Sequence, residues 1–115
     1  MKFDVIATEP FERKLKRLAK KYKSIAMDLS PIIEKLQEDP TIGTPIGKDC
    51  YKIRVAISSK GKGKSGGARI ITYVRVVKKT VFLIAIFDKS EQENIPVKEL
   101  QFFLSLMAEN DNYSL

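Results

Sequence analysis

Residues 51–77 decide the fold: Tyr51-Lys52-Ile53-Arg54-Val55-Ala56-Ile57, then Ser58-Ser59-Lys60-Gly61-Lys62-Gly63-Lys64-Ser65-Gly66-Gly67, then Ala68-Arg69-Ile70-Ile71-Thr72-Tyr73-Val74-Arg75-Val76-Val77. The first segment alternates. Tyr51, Ile53, Val55 and Ile57 take one side of an extended chain and Lys52 and Arg54 the other, the period-2 pattern of a half-buried strand. In the third segment Ala68, Ile70, Thr72, Val74 and Val76 face one way, and Arg69, Ile71, Tyr73 and Arg75 the other. Glycines and lysines fill the middle. The stretch therefore predicts two neighbouring strands joined by a flexible cationic loop.

Working outward, Lys78-Lys79-Thr80 makes a short turn into Val81–Phe87, an almost wholly apolar run suited to a central strand. The tail returns to helix. Asn94 or Ile95-Pro96 opens it, and Leu100, Phe103, Leu104 and Met107 line one face. Asn110 to Leu115 are expected to fray.

Upstream, Phe3 and Val5 alternate with Lys2 and Asp4 and predict a short first strand ending near Ala7. Thr8 is an N-cap candidate, with Glu9 and Pro10 in the first turn. Phe11, Leu15, Leu18 and Tyr22 follow at helical spacing, opposite the cations Arg13, Lys14, Lys16, Arg17, Lys20 and Lys21. A second helix carries Ile25, Leu29, Ile32, Ile33 and Leu36. Either it starts regularly at Ser30-Pro31 or it runs from Ser24 and bends at Pro31. It stops before Asp39-Pro40, and residues 40–49 read as a Gly-, Pro- and Thr-rich connection.

The expected class is α+β in the order β-α-α-β-β-β-α. It is a small antiparallel sheet of about four strands, with the two N-terminal helices on one face and a helix at the end. Lys52, Arg54, Arg69, Tyr73 and Arg75 fall on the other face, expected partly open. Residues 1–115 read as a single domain.

Charge is focused. No acid lies between Asp49 and Asp88, while residues 51–79 carry nine of the chain's 21 Lys and Arg. The remaining 86 residues hold 12 cations and 14 acids, so the net charge of +7 arises in one quarter of the chain. A concentrated positive field on a small domain points to a polyanion, with RNA or DNA the default partner.

Several classes drop out. One cysteine, Cys50, allows no internal disulfide, and with no histidine there is no imidazole for zinc binding or acid–base work. No metal site and no cofactor is expected. No apolar run nears the roughly 20 residues of a membrane span. The N-terminus lacks a signal-peptide core, so a reduced cytoplasmic setting is expected. Gly63-Lys64-Ser65 matches the end of a Walker A motif, but its first glycine would fall on Ser58. Strand-loop-strand is also the wrong context, which disfavours nucleotide hydrolysis.

What remains is a cationic cluster. Lys52, Arg54 and Arg69 share a face with no acid among them, and unpaired like charges cost stability. They are candidates for phosphate binding. Lys60, Lys62 and Lys64 form a mobile arm able to reach RNA phosphates, with Arg75 as a further contact. Tyr73 is either a half-buried strand aromatic or a group that stacks on a base or gives up its phenolic proton. Lys89 and Glu91 follow the last strand. Glu91 either caps or pairs with the final helix, or it orients Lys89 or serves as a base. Without histidine, any acid–base work would fall to lysines crowded by other cations, with Lys52, Lys62, Lys64 and Lys89 the candidates.

Taken together, Asp49-Cys50-Tyr51-Lys52-Ile53-Arg54, Gly61–Tyr73 and Phe87-Asp88-Lys89-Ser90-Glu91 resemble the RelE/ParE superfamily of toxins, nearest to HigB-type members with a GKGK-x-GG loop. The resemblance spans nearly the whole chain. It implies a cytoplasmic mRNA endoribonuclease of a type II toxin–antitoxin system, commonly acting on the ribosome and inhibiting translation. It also implies a neutralising antitoxin, expected to be a helix-turn-helix DNA-binding protein. Arg54 and Arg69 match basic positions that bind and stabilise charge at the scissile phosphate, and Lys52 matches another on the same strand. The alternatives are inhibition of DNA gyrase by the same fold, as in ParE-type members, and RNA binding without catalysis.

Overall fold

The computed structural model describes residues 2–113, with side chains through residue 108. Its elements are β1 (Asp4–Ala7), α1 (Glu9–Lys21), α2 (Ile25–Glu38), β2 (Thr44–Gly47), β3 (Cys50–Val55), β4 (Ala68–Arg75), β5 (Thr80–Asp88) and α3 (Val97–Tyr113). The α+β class and the element order hold. α3 stays helical through Tyr113, against the fraying expected from Asn110 onward, and residues 114–115 lie outside the described ones.

The sheet has five strands, in the order β1-β5-β4-β3-β2. Two corrections follow. β1 runs parallel to β5, with Asp4 opposite Thr80 and Ala7 opposite Leu83, so the sheet is mixed. The supposed connection 40–49 contributes the extra strand, β2, antiparallel to β3. Lys48 and Asp49 both take positive φ, 55° and 62°, in the two-residue link between Gly47 and Cys50. That is the primed-turn conformation, which Asn-Gly signals in sequence and Lys-Asp does not. Pro45 is tolerated because β2 is an edge strand.

α1 and α2 cover one face. Phe11, Leu18, Tyr22, Ile25, Leu29 and Leu36 pack on Ile53, Val55, Ile70, Val74, Val81, Leu83 and Ile86. The apolar spacing of both helices predicted this. α2 is the longer of the two alternatives, starting at Ile25 and passing through Pro31. Thr8 occupies the N-cap of α1 in extended conformation, yet its side chain caps nothing there. Its hydroxyl instead donates to the Leu83 carbonyl at 2.8 Å, tying the start of α1 to β5.

α3 covers much of the opposite face, setting Leu100 and Met107 on Ile71, Ile84, Ala85 and Phe87. A register shift opposite Ile71/Thr72 makes this possible. Ile84 and Ala85 both join the α3-side cluster, while Leu83 and Ile86 face the other core. One extra residue in β5 thus switches which positions point to which helix, as a β-bulge does. The second face is open only beyond the reach of α3, beside β3 and the start of β4.

Candidate phosphate-binding site

That opening holds a cavity of about 240 Å³ lined by Lys52, Arg54, Ser65, Arg69, Lys89, Glu93 and Asn94. β3 supplies Lys52 and Arg54 at two-residue spacing, on one side of the strand. β4 supplies Arg69, whose Cα is the direct cross-strand partner of Arg54. β5 ends at Asp88, so Lys89 enters from its continuation, and the link to α3 adds Glu93 and Asn94.

Arg69 is the anchor. Its side chain is buried, and its guanidinium donates to the carbonyls of Lys64 (2.9 Å), Ala68 (3.1 Å) and Ser65 (3.2 Å). The fork geometry of arginine suits several acceptors at once. Burial and the nearby Arg54 charge both push its pKa down from the ordinary guanidinium value. Among the described residues no carboxylate pairs with either arginine. Arg54 itself is exposed and open to an anion. Lys52 Nζ donates to Asn94 Oδ1 at 2.6 Å, and Lys89 Nζ lies 3.2 Å from Glu93 Oε1.

The loop before β4 is fastened down at three places, where sequence predicts a flexible arm. Ser58 donates its backbone N–H (2.8 Å) and its hydroxyl to the Asp28 carboxylate, and the Ser59 N–H donates to the Ser24 hydroxyl at 2.8 Å. Lys60 turns inward. Its ammonium donates to Asp88 Oδ1 at 2.6 Å, and Tyr22 donates its hydroxyl to Asp88 Oδ2 at 2.6 Å. Ser90 adds its N–H and hydroxyl to the same carboxylate. These donors hold the Asp88 carboxyl well below the usual carboxylate range against the opposing effect of burial. Finally, the Lys89 N–H donates to the Gly67 carbonyl at 3.0 Å. A Cβ on Gly67 would sit 2.0 Å from the Val55 carbonyl oxygen, so only glycine lets the strands close here.

The sequence candidates therefore separate. Lys52, Arg54, Arg69 and Lys89 converge. Lys62 and Lys64 are exposed on the loop beside them. Lys60 is not part of the arm's charged surface, because the buried Asp88 claims it. Tyr73 lies four residues along β4 from Arg69 and Arg75 six, roughly 13 and 20 Å at strand rise. Tyr73 stacks on Phe82 with centroids 6.2 Å apart, and the Arg75 guanidinium lies 5.9 Å from the Tyr73 ring centroid. Both are remote from the cavity. Glu91 also leaves it, its carboxylate 4.0 Å from Lys14 on α1. Sequence reasoning missed Glu93 and Asn94, which stood in a stretch read only as the opening of a helix. It also missed Asp88, although the one acid closing a 38-residue acid-free interval was a visible signal.

Among the described residues no group of His, Cys, Asp and Glu is placed to hold a metal ion, and no helix is long and apolar enough to cross a membrane. A larger groove of about 720 Å³ between β1, β5, α1 and α3 is walled chiefly by apolar groups, among them Phe82, Ile84, Phe102 and Phe103. Its lining carries two cations, Arg13 and Lys78, together with Glu9, against the four cations of the smaller cavity.

The fold is similar to that of E. coli RelE in several solved structures. A double arginine-to-alanine mutant of that toxin in the free state superposes with a TM-score of 0.58 at 22% identity, over 81% of this chain and 90% of that one. The isolated E. coli toxin gives 0.59 at 20% identity, covering 87% and 95%. The toxin within the intact E. coli RelBE toxin–antitoxin complex gives 0.57 at 20% identity, covering 75% and 95%. Residues 11–114 match the family described as the RelE toxin of the RelE/RelB toxin–antitoxin system. With that match running from α1 to the end of α3, the chain belongs to the RelE toxin family.

Proposed function

We propose that this protein is an mRNA endoribonuclease of the HigB-like branch, cutting mRNA on the ribosome and thereby blocking translation. The observation that carries this is the convergence of Lys52, Arg54, Arg69 and Lys89 on one small cavity. Cleavage proceeds by attack of an RNA 2′ oxygen on the adjacent phosphorus, with no metal. Arg54 and Arg69 neutralise the charge that grows on the phosphoryl oxygens, the kind of preorganised electrostatic contribution that is often the largest in catalysis. Lys52 and Lys89 are ammonium donors beside the same atoms. Lys62 and Lys64 hold flanking RNA phosphates as mobile point charges. The partner is a cognate antitoxin, as in the E. coli complex, here of helix-turn-helix type, and both act in the cytoplasm.

The test is inducible expression of wild type, Arg69→Ala and Arg54→Ala, with mapping of new mRNA 5′ ends. Arg54 is exposed, so its variant keeps the fold while losing the charge. Growth arrest with in-frame cuts that either substitution abolishes is the expected result. Arrest without RNA cuts points to gyrase or another protein target, and no arrest to a non-catalytic RNA-binding domain.

A further inference from the structure

Cleavage of this kind needs a group to take the 2′ proton, and the chain has no histidine. The cavity's lining narrows the choice. Lys52, Arg54, Arg69 and Lys89 are donors, and a protonated lysine or arginine has no lone pair to offer. Ser65 is an alcohol, and Asn94 Oδ1 already accepts from Lys52. Glu93 is the one carboxylate in the lining. Its side chain is 82% exposed, and Lys89 at 3.2 Å holds one of its oxygens. Glu91, the acid nearer to β5, is drawn away by Lys14.

We infer that Glu93 is the general base of the site, a reading that rests on the nuclease function proposed above. The 2′ O–H bond breaks as its proton passes to the Glu93 carboxylate, and the 2′ oxygen bonds to phosphorus. The bond from phosphorus to the 5′ oxygen breaks, and that oxygen takes a proton from the Lys52 ammonium. The products are a 2′,3′-cyclic phosphate end and a 5′-hydroxyl end. Solvent returns one proton to Lys52 and removes one from Glu93, so no further reactant is needed.

The role makes an unusual demand, because Glu93 must both oppose RNA binding and promote RNA cleavage. Its charge lies in a cationic site that recruits phosphate. Removing it strengthens binding while slowing chemistry, and a surface counter-ion would show no such split.

The experiment compares wild type, Glu93→Gln and Glu91→Gln on mRNA-programmed ribosomes. Single-turnover cleavage is followed at neutral pH, and affinity is measured for the same mRNA carrying a 2′-deoxy residue at the cut. For Glu93→Gln we expect cleavage slowed about 100-fold or more, the ordinary scale of general-base catalysis. Its affinity should equal or exceed that of wild type. Glu91→Gln should stay within about twofold in rate, as its carboxylate lies outside the cavity. Cleavage by Glu93→Gln at or above the wild-type rate would overturn the assignment and leave Glu93 a mere competitor of the substrate. A wild type that cuts no RNA under any of these conditions would overturn the nuclease reading itself, and this inference with it.

Discussion

The Lys60 ammonium and the Asp88 carboxylate form an ion pair at 2.6 Å, with the Lys60 side chain 10% exposed and that of Asp88 fully buried. Lys60 belongs to the cationic loop and Asp88 ends β5, so this contact fixes the loop against the strand that delivers Lys89. Burying two charges is costly, and breaking such a pair by removing one partner leaves the other uncompensated. Lys60→Met should therefore destabilise the fold by about 3–5 kcal/mol in urea unfolding. Combining it with Asp88→Asn should recover part of that loss, because no orphaned charge remains. Losses that simply add would mean that the two groups do not act as a pair.

Acid should find the same contact. The Asp88 carboxyl is held below its ordinary range in the folded protein, whereas the unfolded chain has an Asp near the usual value of about 3.9. The unfolded state then binds the proton more readily. The stabilisation is present in full above about pH 5 and fades as the pH falls through about 4 and below. Unfolding free energy measured from pH 6 to 3 should drop in this window, and Asp88→Asn should flatten its share of the drop.

Arg54 and Arg69 face each other across β3 and β4 with no acid between them. Directly opposed like charges on a sheet are unfavourable by about 0.2–1 kcal/mol. Arg54→Gln should consequently raise the unfolding midpoint while weakening RNA binding and reducing its salt dependence. A variant that loses both stability and affinity would show that Arg54 serves the fold instead.

Gly67 and Gly63 should respond differently to alanine. At Gly67 a methyl group meets the Val55 carbonyl 2.0 Å away, so the strands must part. About 1–3 kcal/mol of overpacking cost is expected, with lost cleavage because Arg69 and Lys89 flank this point. Gly63 has open space around it and positive φ, so Gly63→Ala should cost only about 1–2 kcal/mol of backbone strain and leave the cavity intact. Thermal melts and cleavage rates of the two variants separate these effects.

Thr72 carries the reverse kind of opportunity. Its Oγ1 is buried on the helix-covered face and has no hydrogen-bond partner among the described residues. Thr72→Val keeps the branched shape and removes an unsatisfied oxygen, which should stabilise the fold by about 1 kcal/mol. A midpoint that falls instead would reveal a partner for that hydroxyl.

The helices and the three long strands were legible because each buries one repeating face. Phe11, Leu18, Leu29 and Leu36 announce their helices, and the apolar run from Val81 announces a strand flanked on both sides. β2 was invisible since Thr44-Pro45-Ile46-Gly47 has neither alternation nor a turn signal, and only pairing with β3 makes it a strand. The direction of β1 was equally hidden, as four residues of alternating pattern carry no information about which neighbour they join. In the site, Lys52, Arg54 and Arg69 could be read from strand alternation and the lack of acids. Glu93 and Asn94 could not, because an irregular link has no periodicity from which to project a side chain. Lys60 resembled its loop neighbours in sequence, and the buried carboxylate that separates it from them lies 28 positions away.

The parallel pairing of β1 with β5 also sets a clock. Asp4 meets Thr80, 76 positions later. At roughly 5–20 residues per second of synthesis, the first strand waits about 4–15 s for its neighbour to be made. The Thr8 hydroxyl waits as long for the Leu83 carbonyl. Lys89, Glu93 and Asn94 come later still, so a nascent chain holds no assembled cavity until these residues have left the tunnel. The order of the chain itself thus delays assembly of the cavity until this late segment folds back against β3 and β4.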